Sequence, residues 1–156
     1  MSEILPDEPV TLTTWDQVQI HLALVGAKVL HRLPPGTMRR CLTRLSVGAV
    51  PAGYDDTKLA RDQVLTASAF CRGGTACLLR SIAVTLVCRL RGTWPTWSVG
   101  VLTVPPFAAH AWVEADGRIV DEPMAQQDFQ AFFTVPPRSR STAWTTEEPR
   151  PTREEV

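Results

Sequence analysis

Apolar positions recur at helical steps through the first half of the chain and switch to a period of two in the second. Trp15, Val18, Leu22, Val25 and Val29 fall at three- and four-residue intervals, which predicts a helix with one apolar face. Thr14-Trp15-Asp16-Gln17 fits a capping box, with Thr14 as N-cap and Gln17 at the third helical position. Pro34-Pro35 stops this helix after Arg32. Pro35 suits the first position of a second helix reaching Val47. Met38, Cys41, Leu42 and Leu45 take one side of it, and Arg39, Arg40 and Arg44 the other. The arginines read as a solvated face, with an acidic peptide or partner as the alternative. A Gly- and Pro-containing loop over 48–56 precedes a third helix from Thr57 to Phe70, capped by Asp55 or Asp56. Its stripe is Leu59, Gln63, Val64, Ala67 and Phe70. Gly73-Gly74 breaks the chain. The fourth helix, from Thr75 to Leu90, is apolar almost all round and is expected to be the central, buried one.

After Gly92 the period changes. Trp97 to Val104 and Ala108 to Glu114 read as strands, and Asp116-Gly117 is a hairpin turn leading into a third strand, Arg118 to Glu122. Pro123 to Phe132 reads as a short helix, with a return to strand over Phe132 to Val135. Helices first and an antiparallel meander afterwards define an α+β arrangement. Residues 1–135 are expected to form a single domain, with 1–56 as an N-terminal helical part and 57–135 as the core. From 136 to 156 the composition collapses to Pro, Ser, Thr, Arg and Glu, which predicts a flexible tail with one docked aromatic, Trp144.

Charge narrows the partners. Lys plus Arg equals Asp plus Glu at 16 each in 156 residues, which argues against nucleic acid or an anionic membrane. No run of about 18 apolar residues is present, so no membrane span is expected. The start, MSEILPDEPV, lacks the basic and apolar regions of a signal peptide, which points to the cytoplasm. Cys41, Cys71, Cys77 and Cys88 are then thiols. Their spacing does not make paired metal-binding sites, so a structural zinc is not expected.

Chemistry concentrates in two stretches. Cys77 lies in the first turn of the central helix, where unpaired N–H groups and the helix dipole favour a thiolate. Ala109-His110-Ala111-Trp112-Val113-Glu114 supplies a base, and Asp121-Glu122 a carboxylate. Cys, His, acid in chain order suggests nucleophilic thiol catalysis, with Gly73-Gly74 and the first helical turn near an oxyanion. On a strand His110, Trp112 and Glu114 share one face, expected to be the one that packs on the central helix. A two-residue Asp116-Gly117 turn pairs Ala115 with Arg118 and places Asp121 on the His110 face. A three-residue turn places Glu122 opposite His110 instead. Sequence alone leaves both open. The plain alternative is that a cysteine in a buried helix only packs, which is the reading for Cys71 and Cys88. His21 and His31 read as surface histidines.

The wording of these segments resembles the lasso-peptide leader peptidases. It is carried by Ala76-Cys77-Leu78-Leu79-Arg80-Ser81-Ile82-Ala83, Arg89-Leu90-Arg91-Gly92, Val99-Gly100-Val101, and Phe107-Ala108-Ala109-His110-Ala111-Trp112-Val113-Glu114 with Asp116-Gly117. The resemblance covers roughly residues 70 to 123. It implies a transglutaminase-like, papain-related core and a cysteine protease that removes the leader from a ribosomally made precursor before macrocyclisation. It further implies a stand-alone peptidase half with a separate small leader-binding protein and an ATP-dependent lasso cyclase as partners, and no cofactor. Cys77 takes the nucleophile's place and His110 the base's. The acid's place falls on Glu122, with Asp121 one residue earlier as the alternative. A transglutaminase-like acyl transferase, a general peptidase and a non-catalytic scaffold of the biosynthetic complex are the rival readings.

Overall fold

The computed structural model describes residues 5–6, 10–105, 107–122 and 124–139. Four helices lead. Helix α1 spans Thr14–His31, α2 Pro35–Leu45, α3 Tyr54–Ala67 and α4 Cys77–Leu90. The capping box of α1 lies one residue earlier than the sequence suggested. The Thr13 side chain accepts from the Asp16 N–H, and the Asp16 carboxylate accepts from the Thr13 N–H and hydroxyl. Asp16 wins over Gln17 because its carboxylate is also tied to Arg91 at 3.1 Å. Helix α3 starts three residues earlier than expected. Its opening N–H, on Tyr54, is capped from outside by the Asp116 carboxylate at 2.7 Å. A 3₁₀ turn over Ala69–Arg72 then leads to the glycines.

Two short parallel strands, β1 (Val50–Pro51) and β2 (Thr93–Trp94), tie the loop after α2 to the end of α4. The main sheet contains β3 (Thr96–Leu102), β4 (Ala109–Ala115), β5 (Arg118–Ile119) and β6 (Phe129–Val135), in spatial order β5-β4-β3-β6. β3 pairs antiparallel with both β4 and β6. The helix expected before Phe132 shrinks to a 3₁₀ turn over Gln126–Asp128, and β6 begins at Phe129. Beyond it, Arg138 is docked through the Gly48 N–H to its carbonyl at 2.8 Å. Trp144 and the rest of the tail over 140–156 lie outside the described residues.

Helix α4 is the hub, with nine buried residues among its fourteen. It packs on α1, α3 and the sheet. Its sheet contact is made by Trp97 on β3 and Val113 and Ala115 on β4, and the Trp97 indole N–H reaches the Ser81 hydroxyl at 3.0 Å. His110, Trp112 and Glu114 therefore occupy the opposite face, contrary to expectation, because Trp97 on β3 and its cross-strand partner Val113 on β4 claim the helix side.

Helix α1 departs furthest from its sequence pattern. The buried face is Gln19, Ile20, Ala23, Ala27 and Leu30, while Trp15, Val18, Leu22, Val25 and Val29 are exposed. Small residues win the core side because they let α1 approach α4 closely, and a Cβ at Gly26 would already sit 3.0 Å from Leu86. In α3 likewise Val64 and Leu65 are buried, while Leu59 and Phe70 of the expected stripe are exposed. In α2 Met38 and Leu42 enter the core, with Leu45 outside.

Candidate active site

Cys77 is the first residue of α4, with Ala76 as its N-cap and no side-chain cap. First-turn N–H groups have no acceptor within the helix, so the thiol sits in their field. It is partly exposed, whereas Cys71 and Cys88 are buried. The two environments act in opposite senses. Burial holds the Cys88 thiol up at about 11. Burial also pushes the Cys77 thiol up, but hydrogen bonds from His110 and from the Ala111 N–H, with the charges of His110 and Arg80, outweigh it and leave Cys77 below its ordinary value.

The Ala111 N–H is free for this bond because β5 is short. The β4–β5 ladder contains Glu114↔Ile119 and Ala115↔Arg118. The start of β4 is left open on that edge, and the first turn of α4 fills the gap. His110 meets Cys77 there, at the sheet edge, rather than across the sheet face.

His110 is held from four sides. Trp112 stacks beside it at 6.3 Å between ring centroids, and Phe129 leans on it at 5.7 Å. Its strand neighbour is Gly100 on β3, where a Cβ would lie 1.9 Å from the Gln130 carbonyl oxygen. Glu122 Oε2 lies 3.1 Å from its Nε2. Burial lowers the imidazole's proton affinity. The bonds to Cys77 and Glu122 and their negative charges more than reverse this and raise His110 to about 9. Both shifts act toward a thiolate beside an imidazolium.

The hairpin and the turn after it decide which of the two acids lies beside His110. Ala115 pairs with Arg118 across a two-residue turn, with Asp116 and Gly117 both at positive φ. That register was expected to put Asp121 on the His110 face. Pairing ends after Val120 N–H···Val113 O, however, and Asp121 takes φ +49°. The chain turns there and delivers Glu122 to His110. Asp121 instead bonds Arg61 at 2.6 Å and lies 3.6 Å from Lys58.

Arg80 escaped the sequence reading. It is buried, donates to the Cys71 carbonyl at 2.9 Å and the Gly73 carbonyl at 3.4 Å, and places Nη2 3.9 Å from Glu122 Oε1. One side chain thus joins the loop before Cys77 to the acid behind His110. An arginine three residues after the cysteine in an otherwise apolar helix was the available signal.

The model of the transglutaminase-like superfamily matches residues 21–134. The chain belongs to the transglutaminase-like superfamily. No curated protein and no solved structure matches it. The superfamily includes cysteine proteases and acyl transferases, and its core is typically a cysteine-based catalytic fold. This transglutaminase-like chain has the mixed helix and antiparallel-sheet architecture of that core. Among the described residues no helix is long and apolar enough to cross a membrane, and no group of three His, Cys, Asp or Glu could hold a metal ion.

Proposed function

We propose that the protein is a cysteine protease that removes the leader from a ribosomally made lasso-peptide precursor, with Cys77 as nucleophile, His110 as base and Glu122 as orienting acid. The observation that carries the thiol chemistry is the Glu122–His110 contact at 3.1 Å, with Cys77 beside that imidazole and its thiol pKa lowered by it. The substrate class rests on the wording of the Cys77 and His110 segments. The thiolate attacks the scissile carbonyl, and the imidazolium gives its proton to the departing amine. The imidazole, held by Glu122, then draws a proton from water as the water attacks the thioester, freeing Cys77. First-turn N–H groups of α4 face the developing oxyanion. The precursor reaches the site in the cytoplasm on a separate small leader-binding protein and passes to an ATP-dependent cyclase.

The test incubates precursor, leader-binding protein and this chain, and reads products by mass spectrometry with a primary amine present. Leader and core of hydrolytic mass are expected, and Cys77→Ala should abolish them while circular dichroism stays native. Amine-adducted product would move the chain to the acyl transferases. Cleavage of unrelated peptides would make it a general peptidase, and full cleavage by Cys77→Ala would remove Cys77 as nucleophile and the cysteine-protease reading with it.

A further inference from the structure

The apolar residues that α1 leaves outside the core form a surface of defined shape. Trp15, Val18, Leu22, Val25 and Val29 are between 44% and 68% exposed. At 100° per residue they fall within an arc of about 80° and repeat in steps of 3, 4, 3 and 4, the spacing of a coiled-coil seam. The stripe runs about 21 Å along the helix and exposes on the order of 500 Å² of apolar area. A soluble monomer seldom leaves such a stripe bare, and an exposed tryptophan is a frequent anchor of interfaces.

The flanks say what fits. One side of the stripe runs into the α1–α4 contact, where Gly26 meets Leu86. The other side carries His21, Lys28 and Arg32, all exposed. Among the described residues neither Lys28 nor Arg32 has an ion-pair partner. Asp16, the acid on α1, sits at its start and is committed to Thr13 and Arg91. We infer that this face docks an amphipathic helix of another protein, apolar at its seam and acidic along the edge that meets His21, Lys28 and Arg32. A second copy of the chain fits less well. Paired antiparallel, it would bring a basic flank against a basic flank. The inference stands on α1 alone and does not depend on which bond Cys77 cleaves.

Two labelled helical peptides of four turns, with Leu at both seam positions and either Glu or Lys at the flanking ones, provide the probe. Fluorescence anisotropy with the full chain should show the Glu peptide binding at least tenfold tighter than the Lys peptide, with the gap closing in high salt. Leu22→Glu/Val25→Glu should abolish binding with the melting temperature unchanged, since both sites are exposed. Trp15→Ser serves as the second variant should the double one lose its fold. Equal binding of the two peptides, no binding of either, or binding that survives both variants overturns the inference. So does a dimer in sedimentation equilibrium that Leu22→Glu/Val25→Glu dissolves, which would assign the stripe to self-association.

Discussion

Replacing Glu122 by Gln keeps the side chain's shape and removes its charge. The imidazole of His110 is raised from 6.5 to about 9, worth about 3 kcal/mol at about 1.4 kcal/mol per unit. Cys77 and Glu122 both contribute to that rise, each through a hydrogen bond and a charge, so removing the Glu122 charge lowers it. The readout is alkylation of Cys77 by iodoacetamide across pH, followed on the Cys77 peptide by mass spectrometry, which needs no knowledge of the substrate. In the wild type the lower limb reports thiolate formation and the upper limb loss of the imidazolium, at about 9. Glu122→Gln should raise the lower limb and drop the upper, narrowing the range of the ion pair. Stability follows in sign. The unfolded chain releases this proton near 6.5 and the folded one near 9. The stabilisation is therefore complete below 6.5 and lost as pH rises through 9, and urea midpoints of Glu122→Gln should fall less steeply across that window. Asp121→Asn is the contrast, since Asn keeps an Oδ1 acceptor for Arg61 and the charge removed is not bonded to His110. Limbs that stay put in Glu122→Gln, or that move further in Asp121→Asn, would refute the reasoning.

Two further outcomes test the frame around the site. Arg80→Met removes the cation beside Glu122 and the donors to the Cys71 and Gly73 carbonyls. It should cost about 3–5 kcal/mol in urea unfolding, and Arg80→Lys should recover part of this; an unchanged midpoint in Arg80→Met would count against the bridge. Gly100→Ala puts a Cβ onto the Gln130 carbonyl, which should cost about 3 kcal/mol or break the β3–β6 pairing, read by thermal unfolding and by amide exchange on β6; wild-type values for both would contradict the steric argument.

Local chemistry was legible in the sequence wherever it acts over a few residues. The helix order, the period change after Gly92, the Asp116-Gly117 hairpin and the placing of Cys77 at a helix start all rest on such neighbours. The orientation of α1 was not legible, because periodicity finds an apolar arc without saying which arc a neighbouring helix chooses. Ala23 and Ala27 are weak hydrophobic signals, yet they decide that contact through close approach. The strand boundary at Phe129 was hidden for a similar reason: Phe129 is placed by tilted ring contacts with His110 and Trp112, at 5.7 and 5.0 Å. The choice between Asp121 and Glu122 turned on Arg61, sixty residues upstream, which no strand pattern could reveal.

That choice shows how the fold sets the site. Asp121 and Glu122 are adjacent, yet each is claimed by a different arginine, Arg61 from α3 and Arg80 from α4, both nearly without solvent. A non-glycine residue at φ +49° is uphill by itself. The Arg61–Asp121 bond at 2.6 Å offsets that strain and fixes the direction in which the chain leaves the hairpin. Were Asp121 released, the extended register would carry it onto the His110 face and move Glu122 away. Among the described residues, the buried Arg61 Nε, Asp62 Oδ1 and Arg80 Nη2 have no hydrogen-bond partner in this network. What it fixes is which of two adjacent carboxylates faces the imidazole. On that ground Arg61 belongs with the site although it touches neither Cys77 nor His110, and its role is to position rather than to react.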